Sequence, residues 1–127
     1  MYRNTKIIIV DDHLMFREGI KLLIETEGMG KVIAEADNGQ EFLHLLENHN
    51  PDLVLMDIEM PVMNGLETTK FIRNRLPSPL CNLPIIAITA YNPEDFFDDY
   101  KDAGFSHMLT KPYSFNKIQK IVREITI

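Results

Sequence analysis

Three apolar runs in this chain lack the alternation expected of a half-exposed strand: Ile7–Val10, Leu53–Met56 and Ile85–Ile88. Strands buried on both faces look like this, which happens when helices cover both sides of a parallel sheet. The surrounding sequence alternates in the matching way. Short β-rich runs are predicted at Lys6–Val10, Lys31–Ala36, Leu53–Met56, Ile85–Thr89 and His107–Thr110. Helical spacing is predicted over His13–Glu27, Gln40–Asn48, Gly65–Leu76, Pro93–Ala103 and Phe115–Ile125.

Several helix ends are marked by their chemistry. Asn92-Pro93-Glu94-Asp95 reads as an N-cap, a proline at the first helical position and then acids favoured by the helix dipole. Gly104 falls where a left-handed C-terminal cap belongs. Ile118, Ile121, Val122 and Ile125 recur at helical spacing, with Lys117, Lys120 and Arg123 between them. Strict βα alternation with short loops gives an α/β domain with five strands, five helices and right-handed crossovers. Periodicity does not fix the strand order. Among the common doubly wound orders, 2-1-3-4-5 is the one known for five strands.

No repeat, linker or low-complexity segment is visible, so residues 1–127 read as one domain. At 127 residues, 45% hydrophobic and 25% charged, the chain can bury a proper core. The run Ile7–Val10 is far too short for a membrane helix or a signal peptide, and Met1–Lys6 carries no cleavage pattern. A cytoplasmic protein without a membrane partner is expected. Thirteen Lys and Arg against nineteen Asp and Glu give a net charge of −6, which argues against direct nucleic-acid binding by this domain. Cys81 is the only cysteine, which excludes an intrachain disulfide and a thiolate cluster; in its proline-rich loop it reads as an incidental thiol. The histidines (His13, His44, His49 and His107) form no i,i+4 pair and read as surface or packing residues.

In doubly wound sheets, ligands bind beyond the carboxyl ends of the strands. The first strand is followed there by Asp11-Asp12, the third by Asp57 and then Ile58-Glu59-Met60-Pro61. The fourth ends in Thr89-Ala90, and the fifth leads into Lys111-Pro112. The second strand, expected at the periphery, delivers nothing so clear. Taken singly, Asp11-Asp12 would be a loop or helix cap and Asp57 a turn residue. Their joint placement at the ends of the right strands is what carries meaning. Two carboxylates about 4 Å apart repel by about 4 kcal/mol at an effective dielectric of 20. Converging acids therefore need either raised pKa values or a cation. Hard carboxylate oxygens without His or Cys nearby suit Mg²⁺, while a lysine and a threonine could hold phosphate oxygens. Asp57 is left as a possible nucleophile.

These residues resemble a known family. Val10-Asp11-Asp12, Leu55-Met56-Asp57-Ile58-Glu59-Met60-Pro61, Asn64-Gly65, Thr89-Ala90, Ala103-Gly104 and Lys111-Pro112 together resemble the receiver domains of bacterial response regulators, over Lys6 to about Ile125. Asp11-Asp12-His13 with Phe16-Arg17-Glu18-Gly19 looks most like receivers that precede a helix-turn-helix output domain. The resemblance implies a flavodoxin-like, CheY-like fold with Asp57 as phospho-acceptor. It implies Mg²⁺ held by Asp11, Asp12, Asp57 and the backbone carbonyl of Glu59, and phosphoryl oxygens contacted by Thr89 and Lys111. It also implies a cis Lys111-Pro112 bond and a Gly65 that relieves crowding after Asp57. The phosphoryl donor would be a sensor histidine kinase or a histidine phosphotransfer protein. The domain would catalyse its own phosphorylation and dephosphorylation while serving mainly as a conformational switch.

The sequence departs from the family pattern three residues before Lys111. There an aromatic residue usually couples to the threonine, and this chain has Met108. Two positions that affect dephosphorylation in the family are Glu59 and Tyr91, and a bulky Tyr91 would shield the phosphoryl group. Asp98, Asp99 and Asp102 on the fourth helix could pair with Lys117, Lys120 and Arg123 on the fifth across a homodimer axis. Phe96, Phe97 and Tyr100 cannot all face inward at helical spacing. The alternative function is a degenerate receiver acting as a phosphorylation-independent interaction module. Such modules typically lack an acid, the threonine or the lysine, all present here. A flavodoxin would want a Ser-, Thr- and Gly-rich loop after the first strand, and an aspartyl-phosphate phosphatase would carry its nucleophile on the first strand.

Overall fold

A computed structural model describes residues 4–90, 101–111 and 115–126. Strands β1 (Lys6–Val10), β2 (Lys31–Ala36), β3 (Leu53–Asp57), β4 (Ile85–Thr89) and β5 (His107–Thr110) form one sheet of order β2-β1-β3-β4-β5. All its pairings are parallel. The helices are α1 (Leu14–Thr26), α2 (Gly39–Leu45), α3 (Gly65–Arg75), α4 (described over its last residues, 101–103) and α5 (Phe115–Thr126). The doubly wound, five-stranded order and the strand positions agree with the sequence expectation. Strand β3 runs one residue further than expected and takes in Asp57. Helix α2 is shorter than expected, ending at Leu45 before a turn.

The unalternating runs are buried as their composition requires. Every residue of β3 and β4 is buried, and β1 is exposed only at Lys6. Alternate residues serve opposite faces. Ile7, Ile9, Leu53, Leu55, Ile86 and Ile88 pack with Ile20 and Ile24 of α1 and Ile118 and Val122 of α5. Ile8, Val10, Val54, Met56 and Ile85 pack with Phe42 of α2 and Ile72 of α3. Fully burying such a side chain stabilises by roughly 1.5–3 kcal/mol, so each central strand is held from both sides. The outer face of α5 is polar as its spacing demands, with Lys117, Lys120 and Arg123 exposed. Asp102, expected on the opposing acidic patch, is exposed on α4. The expected helix start at Asn92–Asp95 lies outside the described residues, as do Phe96, Phe97, Asp98, Asp99 and Tyr100.

The segment from β3 to α3 decides how Asp57 is presented. Asn64 opens α3 with a capping box: its Oδ1 accepts from Glu67 N at 2.9 Å, and Glu67 Oε1 accepts from Asn64 N at 3.1 Å. Within the loop, Met63 N donates to Pro61 O at 2.7 Å around Val62, whose φ is +67°. A β-branched residue in that region is strained, and Val62 is 75% exposed, so its side chain gains little from packing there. Gly65 then brings the helix start against the strand end, donating from its N–H to Ile58 O at 2.9 Å. A Cβ at Gly65 would lie 2.6 Å from Asp57 O and 2.9 Å from Ile58 Cα, both backbone atoms that cannot yield cheaply. Gly104 has φ +94° and closes α4 as the sequence suggests. Gly65→Ala is expected to lower the unfolding free energy by about 1–3 kcal/mol in urea denaturation. An unchanged urea midpoint would show that the loop has slack.

Candidate functional site

Register brings the polar strand ends together. Val10 pairs with Met56, so Asp11 follows at the level of Asp57; Asp57 pairs with Ile88, so Thr89 stands one step beyond; Thr89 pairs with Thr110, so Lys111 comes next. Asp11, Asp57 and Thr89 are all buried, at 1%, 2% and 0% exposure. Lys111 Nζ lies 3.7 Å from Asp11 Oδ2 and 4.0 Å from Asp57 Oδ1, reaching over both acids. It also sits 4.4 Å from the centre of the Phe16 ring, a cation–π contact that holds the ammonium over the site.

The electrostatics follow from this crowding. Burial, reinforced by Asp11, pushes the Asp57 carboxyl up to about 7, with Lys111 opposing and Glu59 and Asp12 adding to the rise. Asp11 Oδ2 is buried without a hydrogen-bond partner. Asp11, Asp12, His13 and Asp57 each offer a ligand atom, all within 4.8 Å of one another. An orphaned carboxylate oxygen among crowded acids is what a hard divalent cation would satisfy, so the residues fit Mg²⁺.

The expected site residues converge, with two refinements. Thr89 Oγ1 donates to Glu59 Oε1 at 2.8 Å, so the threonine hydroxyl is engaged by the acid that follows Asp57. The atom expected of Glu59 at a cation is its backbone carbonyl, which this bond leaves untouched. The acid set is not free of imidazole, contrary to expectation. His13 is exposed, as a surface residue should be, yet its Nδ1 lies 3.1 Å from both Asp11 Oδ1 and Asp12 Oδ1. The cause is a tight turn in which His13 N donates to Asp11 Oδ1 at 2.8 Å. Both Tyr91 and the Lys111-Pro112 bond lie outside the described residues.

Sequence reasoning also missed what the second strand does. Arg17 Nη1 donates to Asp11 O at 2.6 Å and reaches Ala36 O at 3.4 Å and Asp37 Oδ1, while its Nε lies 3.3 Å from Glu35 Oε1. One guanidinium thus ties the ends of β1 and β2 to α1. Burial opposes its charge, but Asp37 and Glu35 outweigh this and hold its pKa above the ordinary value. Met108 is half-buried and, like Leu66 and Phe105, packs against the cluster of Ile58 and Ala87. It therefore packs against neighbours of the site, since Ile58 follows Asp57 and Ala87 lies on β4.

Residues 7–123 match the family model described as "Response regulator receiver domain". The chain belongs to the receiver domains of response regulators. Among similar proteins, the transcriptional regulatory protein YdfI of Bacillus subtilis is 41% identical over 110 residues, 87% of this chain and 49% of that protein. The chain spans about half the length of the curated relatives it matches. A LuxR-family DNA-binding response regulator from Staphylococcus aureus superposes with a TM-score of 0.84 at 29% identity, covering 95% of this chain and 98% of that one. The receiver domain of the sensor histidine kinase PA1611 from Pseudomonas aeruginosa, solved with a magnesium ion coordinated in its active-site cleft, shares the fold with a TM-score of 0.83 at 24% identity, over 96% of this receiver and 97% of that one. Among the described residues of this receiver, no helix is long and apolar enough to cross a membrane.

The raised Asp57 pKa sets a sign for stability against pH. From about pH 4 to 7 the unfolded carboxyl has lost its proton while the folded one retains it, so metal-free stability falls across that window and levels above it. Asp57→Asn carries no such charge. In EDTA, the variant is expected to gain on the wild type by on the order of 1–2 kcal/mol between pH 5 and 8. A stability gap that does not change with pH, measured in urea, would contradict this.

Proposed function

We propose that Asp57 accepts a phosphoryl group from a phosphohistidine of a sensor histidine kinase or histidine phosphotransfer protein. The observation that carries this is the buried Asp57 carboxylate under Lys111, beside the orphaned oxygen of Asp11. In the transfer, an Asp57 oxygen attacks phosphorus in line, the new O–P bond forms, and the P–N bond to the donor imidazole breaks. The imidazole leaves with the electron pair of that bond, and Asp57 becomes an acyl phosphate.

Asp57 must be ionised to attack, and Lys111 is the residue that favours its ionised form. Asp11, Asp12, Asp57 and the Glu59 carbonyl would hold Mg²⁺, which when bound neutralises charge on the phosphoryl oxygens. Thr89 then has a choice of acceptors. Before transfer its hydroxyl donates to Glu59; afterwards a phosphoryl oxygen competes for it. Movement of Thr89 away from Glu59 would begin the switch, with Ala87, Met108 and Phe105 packed where the displacement spreads. Hydrolysis of the acyl phosphate resets it.

The whole protein would couple this switch to an output, as relatives of twice the length are transcriptional regulatory proteins. The phosphorylation-independent alternative is less well supported, because every acid, the threonine and the lysine stand at one edge of the sheet. Incubation with Mg²⁺ and acetyl phosphate is expected to add one phosphoryl group to the wild type and none to Asp57→Ala, by intact mass. No addition to the wild type, with no beryllofluoride binding, would move the chain to the alternative.

A further inference from the structure

His13 occupies the N-cap position of α1, but its side chain makes no capping hydrogen bond. Its ring instead turns back to the acids, with Nδ1 3.1 Å from an oxygen of Asp11 and 3.1 Å from an oxygen of Asp12. Its side chain is 67% exposed, so no core packing holds the ring in this place. The other oxygen of that Asp11 carboxylate, the buried Oδ2, makes no hydrogen bond and has Lys111 Nζ at 3.7 Å as its counter-charge, so it keeps capacity for a ligand. Three carboxylates and an imidazole thus each offer a ligand atom within 4.8 Å of the others.

That donor set differs in kind from an all-oxygen one. Mg²⁺ takes carboxylate, carbonyl and water oxygens, whereas imidazole suits the later first-row divalent metals. We propose that His13 is a nitrogen ligand that makes this site a centre for borderline transition metals of the Co²⁺ and Zn²⁺ class, in addition to Mg²⁺. His13 can act so only if Asp11, Asp12 and Asp57 hold a divalent cation as proposed above. The exposed ring can follow the ion without repacking its neighbours. Carboxylates alone already rank Co²⁺ above Mg²⁺, so the contribution of His13 is the part of that preference lost with the imidazole.

The test is calorimetric titration of the whole chain with Mg²⁺ and with Co²⁺, for the wild type, His13→Ala and His13→Asn. The second variant supplies a side chain able to cap α1, and urea midpoints check that both fold. Co²⁺ affinity is expected to fall at least about tenfold in both variants, with Mg²⁺ affinity held within about threefold. Added Mg²⁺ should displace Co²⁺ from the wild type. Unchanged Co²⁺ affinity in both variants, an equal loss for both ions, or Co²⁺ that Mg²⁺ does not displace would each overturn the role of His13. Binding of neither ion to the wild type would overturn the divalent site itself along with it.

Discussion

Asp11 and Asp57 leave neighbouring strands side by side, both buried, with a single ammonium above them. In water such a pair would spread apart; at the end of a fixed sheet it cannot. Burial, reinforced by the neighbouring Asp11 and opposed by Lys111, raises the Asp57 pKa, and an oxygen of Asp11 is left without a hydrogen-bond partner. Burial makes each of these charges strong enough to matter, since the same groups in high dielectric would interact by only about 1 kcal/mol at 4 Å. The site is therefore a buried, crowded set of acids whose strain a proton relieves and the proposed divalent cation would relieve.

The rest of the fold serves to keep that repulsion in place. Central strands packed on both faces do not shift to separate their ends, and Arg17 fixes the backbone of Asp11 from the side of α1. The capping box of α3 and the close approach at Gly65 hold the segment after Asp57. Against this rigid frame, the Thr89–Glu59 hydrogen bond joins two side chains rather than backbone, and the proposed switch would exchange it. Rigidity at the acids and an exchangeable partner at the threonine together suit a switch.

Much of this was legible in the sequence because two simple periodicities carry it. Unbroken apolar runs announced strands buried on both faces, and the polar residues at their carboxyl ends pointed to Asp11, Asp12, Asp57, Thr89 and Lys111. His13, Phe16 and Arg17 were not given roles, for a physical reason. They lie at the start of α1, and only the angle at which that helix leaves the strand turns them over the acids. A two- or 3.6-residue period says which face a residue takes but not how the chain turns between elements. The contact between Thr89 and Glu59 was hidden for the same reason, as it joins side chains 30 residues apart. Met108 could be flagged as a departure, but its packing partners required the third dimension.

The raised pKa of the buried Asp57 carboxyl and the proposed divalent cation meet in one expectation, that the cation would lower that pKa again. The most direct measurement is an NMR titration of the Asp57 side-chain carboxyl carbon, in EDTA and in saturating Mg²⁺. The expected result is a midpoint near 7 without metal that falls by more than about one unit when Mg²⁺ is added. A metal-free midpoint at the ordinary aspartate value near 4, unmoved by Mg²⁺, would contradict it.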